Sequence, residues 1–175
     1  MMKTDIENLL KNIENFKAGD RLELTGTVYT ARDQAHKRIS KLVELKKEVP
    51  FDLKNACIYY CGPCPKSPDR IIGSCGPTTS SRMDVFTPLM LDKGVKILIG
   101  KGNRSAEVYK SIKKNKAIYL VATGGAGALI SKKVKKAELI AFEDLGPEAV
   151  YKLYVENFPL IVAIDCFGNN VFERN

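Results

Sequence analysis

No run of about eighteen apolar residues occurs in this 175-residue chain, and a helix that spans a bilayer needs roughly that many. The N-terminus, Met-Met-Lys-Thr-Asp-Ile-Glu-Asn, lacks the apolar stretch and small-residue cleavage site of a signal peptide, so none is expected. Histidine is nearly missing. His36 is the single one, and a lone histidine is more often a packed or capping group than a catalyst. The cysteines, Cys57, Cys61, Cys64, Cys75 and Cys166, are odd in number and come without an export signal. That argues against a disulfide framework and for a reducing, cytoplasmic compartment.

What is abundant is positive charge. Lysine and arginine number 28 against 20 acidic residues, a formal net charge of +8, which favours anionic partners: nucleic acid, an acidic protein surface or a small carboxylate. Lys110, Lys113, Lys114 and Lys116, and Lys132, Lys133, Lys135 and Lys136, read as solvated faces of helices. No aromatic residues are spaced between them as a stacking platform needs, so nucleic acid is disfavoured.

The length suits one domain with a real core. Ile6, Leu9, Leu10, Ile13 and Phe16 fall on one helical stripe and predict an amphipathic lead-in helix within residues 1–18, ahead of a single domain over 19–175. Strands are expected at 21–31, 56–60, 95–99, 117–122, 139–142 and 160–164. Helices are expected from Arg32 to Leu45, after the run at 73–84, around Val108 and Ile112, and from Glu148 to Phe158. Strands alternating with helices indicate an α/β domain, its mostly parallel or mixed sheet flanked by helices, with ligands gathering at the carboxyl ends of strands.

Three junctions carry candidate chemistry. The run Gly73-Ser-Cys-Gly-Pro-Thr-Thr-Ser-Ser-Arg-Met-Asp84 follows Ile71-Ile72 and precedes a helical pattern, so it reads as strand, loop and helix start. Glycines allow close backbone approach, Pro77 suits a first helical turn, and Thr78 to Ser81 with Arg82 offer donors to an anion. Ordinary helix capping explains the same hydroxyls. Arg32 sits where the first long strand meets a helix. Gly100-Lys-Gly-Asn-Arg-Ser105 puts Lys101 at another strand end, although the Walker spacing is absent. Cations at one sheet edge would make a pocket for a dianion. Cys61-Gly-Pro-Cys64 opens no helix and has no second cysteine pair, which weighs against both a thiol oxidoreductase and a zinc site. Thr123-Gly-Gly-Ala-Gly127 lacks the full dinucleotide fingerprint, and a tight approach to a neighbouring loop accounts for its glycines.

In this order, Thr30-Ala-Arg-Asp-Gln-Ala-His-Lys-Arg-Ile39, Gly76-Pro-Thr-Thr-Ser-Ser-Arg-Met-Asp84 and Gly100-Lys-Gly-Asn-Arg-Ser105 resemble the β subunit of class I, iron-sulfur-dependent fumarate hydratase. The β subunit of L-tartrate dehydratase is the near alternative. The likeness runs from about Gly19 to the end of the chain and includes Pro159-Leu-Ile-Val-Ala-Ile-Asp165. The paired Cys61 and Cys64 and the Thr123–Gly127 run depart from it.

The resemblance implies a swivelling β/β/α domain acting as a hydro-lyase of the tricarboxylic acid cycle. It implies Thr78 at the base position and substrate carboxylates bound by Arg32, Arg82, Lys101 and Thr79. A four-iron four-sulfur cluster would be held by a partner α subunit, with no metal in this chain, in a heterotetramer of two α and two β chains. A basic nucleic-acid- or protein-binding module is the rival from another class.

Overall fold

The computed structural model of the chain describes residues 1–173; the last two residues of the expected 19–175 domain lie outside that range. One sheet contains β1 (Met2–Asp5), β2 (Arg21–Thr30), β3 (Cys57–Tyr59), β4 (Ile97–Gly100), β5 (Ile118–Val121), β6 (Val134–Ala141) and β7 (Val150–Ile164). Strands β2, β3, β4 and β5 run parallel in that order, and β7 pairs antiparallel with both β5 and β2. The ring β2-β3-β4-β5-β7 therefore closes into a small barrel, with β1 alongside β2 and β6 alongside β7. Closure leaves β1 and β6, each paired with a single strand, as the edges of the sheet among the described residues.

The helices are α1 (Ile6–Lys11), α2 (Asp33–Glu44), α3 (Thr87–Asp92), α4 (Ala106–Lys114) and α5 (Gly127–Ser131). The expected mixed α/β class is present, a sheet flanked by helices. No helix among the described residues is long and apolar enough to cross a membrane.

Period-two alternation divides the apolar residues between two cores. Leu22, Leu24, Cys57, Tyr59, Ile97, Ile99, Ile118, Leu120, Leu153 and Val162 fill the barrel. Their strand neighbours Ile58, Tyr60, Leu98 and Tyr119 join Ile39 of α2, Met90 and Leu91 of α3, and Val108 and Ile112 of α4 in a second core. Each fully buried side chain of this size stabilises the fold by about 1.5–3 kcal/mol.

Several sequence expectations need correction. Residues 148–158 are not a helix: they fall largely within β7, which runs unbroken from Val150 to Ile164. Asn157 adopts φ 51°, and the inward set passes from Leu153 and Val155 to Phe158, Leu160 and Val162. That irregularity breaks the period-two pattern and leaves a spacing that imitates a helix. Lys135 and Lys136 consequently lie on β6, not on a helix.

Ile71 and Ile72 form no strand, and no helix opens at Pro77. The chain instead reaches Thr79 without helix or strand, makes a 3-10 turn over Ser80–Met83, and enters α3 only at Thr87. The lead-in helix is shorter than the stripe suggested. It comprises α1 and a 3-10 turn over Ile13–Asn15, preceded by strand β1.

Candidate active site at the carboxyl rim of the barrel

Because β2 to β5 are parallel, their carboxyl ends share one rim. Arg32 follows β2, Cys61 follows β3, Lys101 follows β4 and Thr123 follows β5. The 73–84 run is drawn onto this rim by backbone bonds. Thr78 N–H donates to the carbonyl of Tyr60 at 2.6 Å, Thr79 bridges to Lys101 as a parallel pair, and Ser80 N–H donates to the Lys101 carbonyl at 2.9 Å. These commitments to the sheet explain why no helix starts at Thr78.

Arg82 reaches back to the first turn of α2. Its Nε–H donates to Asp33 Oδ1 at 3.0 Å and its Nη2 lies 2.9 Å from Asp33 Oδ2. Its side chain remains about half exposed, at 49%. Arg32 lies against Gly62, where a Cβ would stand 2.5 Å from its Nη1 and 2.9 Å from the Pro147 carbonyl. The Arg32 Nη2 is a loose 3.7 Å from Glu148 Oε1, and its buried Nε has no hydrogen-bond partner among the described residues. The rim thus holds two guanidinium groups and an ammonium with donors to spare. A carboxylate-rich ligand would satisfy them, since arginine binds carboxylate bidentately and lysine as a point charge.

The backbone around Lys101 is packed without slack. A side chain at Gly100 would collide with Ser80 Oγ and come within 2.8 Å of the Tyr60 ring. Ser80 Oγ accepts the Lys101 N–H at 3.0 Å and lies 2.8 Å from Tyr119 Oη, which is also 2.8 Å from the Gly102 carbonyl. Burial raises the Tyr119 phenol well above its ordinary range, so it is a neutral hydrogen-bonding group here.

The remaining candidates fall into place as packing. His36 is fully buried, its Nδ1 2.9 Å from the Arg32 carbonyl, its ring against Tyr60 and Phe86. Burial pushes its pKa down to about 4, so the ring is neutral near pH 7. Cys61 and Cys64 differ in exposure: Cys61 is buried, with the free thiol of Cys75 beside it, whereas Cys64 is exposed. The neighbouring Cys75 and burial hold Cys61 as a thiol. The Gly-rich run approaches the Ser74–Gly76 loop, with Cys75 N–H donating to the Gly127 carbonyl at 3.2 Å and no room for a Cβ at Gly127. No cluster of three His, Cys, Asp or Glu side chains able to hold a metal occurs among the described residues.

A cavity of about 460 Å³ lies beside the rim, lined by Pro63, Cys64, Ile72, Leu139, Pro147 and Tyr151 among others. None of Arg32, Thr78, Thr79, Arg82 and Lys101 lines it. The sequence singled out these five as candidates and gave no role to Asp33, Ser80 as a backbone anchor, Asp84, Arg104 and Tyr119. For Tyr119 a signal existed: alternation with Ile118 and Leu120 places it on the opposite face of β5.

A family model described as the fumarase C-terminus matches residues 1–175. The chain is 40% identical over 170 residues to the putative L(+)-tartrate dehydratase subunit beta of Methanocaldococcus jannaschii, covering 94% of this chain and 87% of that protein. It is 40% identical over 169 residues to fumarate hydratase 1, mitochondrial, of Leishmania major, covering 95% of this chain and 31% of that protein. Against the anaerobic class I fumarate hydratase of Escherichia coli the identity is 36% over 171 residues, with 97% and 31% covered. The chain therefore spans most of the tartrate dehydratase subunit and about a third of the two fumarate hydratases.

Proposed function

The chain belongs to the fumarase C-terminus family, and from that premise we propose that it is the swivelling β/β/α, β-type part of an iron-sulfur hydro-lyase that reversibly hydrates fumarate to L-malate in the tricarboxylic acid cycle. The observation that carries this reading is the bridge between Thr79 and Lys101, together with the Arg82–Asp33 pair. These contacts bring the turn that carries Arg82 to the strand ends that carry Arg32 and Lys101.

In this reading Arg32, Arg82 and Lys101 hold the two carboxylates of the substrate, and Thr79 adds a hydroxyl contact. Removing a proton beside a carboxylate builds charge on that carboxylate, and fixed cations stabilise it best where water is excluded. Thr78 takes the base position, its backbone anchored to Tyr60. An isolated threonine hydroxyl is a weak base near neutral pH, so it depends on a neighbouring cation such as Arg82 to lower the cost of its alkoxide.

The thiols of this chain do not fit a cluster. Four of the five are buried and only Cys64 is exposed, whereas a four-iron four-sulfur cluster needs several thiolates converging on one point. The cluster is therefore assigned to an α partner, in an assembly of two α and two β chains in the cytoplasm. That partner also supplies the missing wall of an open rim.

L(+)-tartrate dehydration is the second reading, favoured by the near full-length match to a tartrate dehydratase subunit. The test is co-expression with a cluster-bearing α chain, anaerobic reconstitution, and assay of fumarate and L(+)-tartrate side by side. Malate formed from fumarate supports the first reading, and dominant tartrate dehydration supports the second. Turnover of neither acid defeats both. Salt-sensitive RNA binding that persists in Arg82→Ala would then favour a basic binding module.

A further inference from the structure

One arginine at the rim faces inward. The side chain of Arg104 has no exposed surface. Its Nε–H donates to Asp84 Oδ1 at 2.7 Å and its Nη2 donates to Thr87 Oγ1 at 2.6 Å, while its guanidinium lies 5.2 Å and 4.9 Å from the ring centres of Tyr60 and Tyr119. The second oxygen of Asp84 accepts the N–H of Ser105, which caps α4, at 2.7 Å. Asp84 directly follows the Ser80–Met83 turn and Arg104 lies three residues beyond Lys101. The pair thus ties together the two segments that carry the candidate site. A second tie runs through hydroxyls, from Lys101 N–H to Ser80 Oγ and on to Tyr119 Oη.

Burial works against the Arg104 charge, and Tyr60 and Asp84 outweigh it, so the guanidinium stays charged. Its Nη1 nevertheless lacks a partner among the described residues. A buried ion pair adds little stability over well-packed apolar side chains, and an unpaired donor lowers it further. What the fork gives instead is geometry, because one planar group fixes Asp84 and Thr87 at once.

Resting on the hydro-lyase reading, we propose that Arg104, with Asp84 and the Tyr119–Ser80 relay, is a positioning residue that sets the distance between the Thr78–Arg82 segment and Lys101. The substrate would span these two segments, so their spacing fixes how its two carboxylates are held. A displacement near 1 Å at such a site can cost about 100-fold in rate.

The test uses Tyr119→Phe, which removes one hydroxyl and keeps the ring, and Arg104→Lys, which keeps the charge and loses the fork. Each is prepared as the reconstituted complex with its α partner. Amide hydrogen exchange at residues 79–84 and 100–105 is measured alongside kcat and KM for fumarate and L(+)-tartrate. Faster exchange confined to those segments is expected in both variants, with kcat/KM falling about 10-fold to 100-fold per folded complex and unequal losses in kcat and KM.

Unchanged exchange in both variants overturns the inference whatever the activity. So does faster exchange with kinetics equal to those of the wild type. If the wild-type complex turns over neither acid, the hydro-lyase reading has failed, and the exchange result decides the positioning role by itself.

Discussion

The two cores of the molecule contrast in chemistry more than in size. The barrel interior is almost entirely aliphatic and aromatic, and its one buried phenol, Tyr59, is satisfied by the Cys75 carbonyl at 2.6 Å. The layer between the barrel and α2, α3 and α4 holds His36, Ser40, Thr87, Arg104 and Ser111 as buried polar groups. Dispersion and water exclusion hold the first core together. The second gives up part of that stabilisation to hold the hydrogen-bonded Thr87 and Arg104 beside the segments that form the rim. Damage in the interior should therefore act on folding, whereas damage in the outer layer should act on the geometry of the site.

The largest effect that would break this contrast comes from the barrel side. Leu120→Ala removes a fully buried interior side chain and is expected to cost about 2–5 kcal/mol in chemical denaturation. The kcat/KM of the fraction that stays folded should not change. A loss of specific activity at full folding would mean that interior and rim are coupled.

His36 sharpens the contrast from the outer layer. Its folded pKa, about 4, lies below the ordinary 6.5, so the unfolded chain binds more protons between those values. The stabilisation from keeping it neutral is complete above about pH 6.5 and is lost as pH falls through 4, on the order of 3 kcal/mol in all. Urea titrations between pH 7 and 4 should show this decline, and His36→Gln should flatten it. An unchanged slope in His36→Gln would place the acid sensitivity elsewhere.

Gly100→Ala joins the two effects. Its Cβ has no room beside Ser80 and Tyr60, and overpacking of this kind costs about 1–3 kcal/mol. The clash also pushes the Ser80 turn away from Lys101, so activity should fall further than stability. The reverse ordering, measured by thermal melts beside kcat/KM, would show the rim to be tolerant.

The legibility of the chain in its sequence follows the same division. Ile97 to Ile99 and Ile118 to Leu120 announced their strands because a strand covered on both faces leaves a short continuous apolar run. Only the part of β7 from Leu160 on was legible, because Asn157 interrupts period-two alternation ahead of it, and barrel closure depends on pairing between residues more than a hundred positions apart, such as Leu22 and Leu160. At the rim, Arg32, Arg82 and Lys101 were visible as cations at strand ends. Arg104 drew no reading of its own, since nothing local reveals that Asp84, Tyr60 and Tyr119 enclose it. The hydroxyls of Thr78 to Ser81 suggested helix capping, and only the tertiary pairing of Thr79 with Lys101 shows that the chain joins the sheet before it turns at Ser80.

The proposed role of the rim, half of a hydro-lyase site whose arginines hold a dicarboxylate, can be tested through the steady-state rate of fumarate hydration in the anaerobically reconstituted complex carrying Arg82→Ala. The account predicts a fall in kcat/KM of about 100-fold to 1,000-fold, with a melting temperature close to that of the wild type because Arg82 is half exposed and its pair with Asp33 contributes little. Full activity in Arg82→Ala would contradict it.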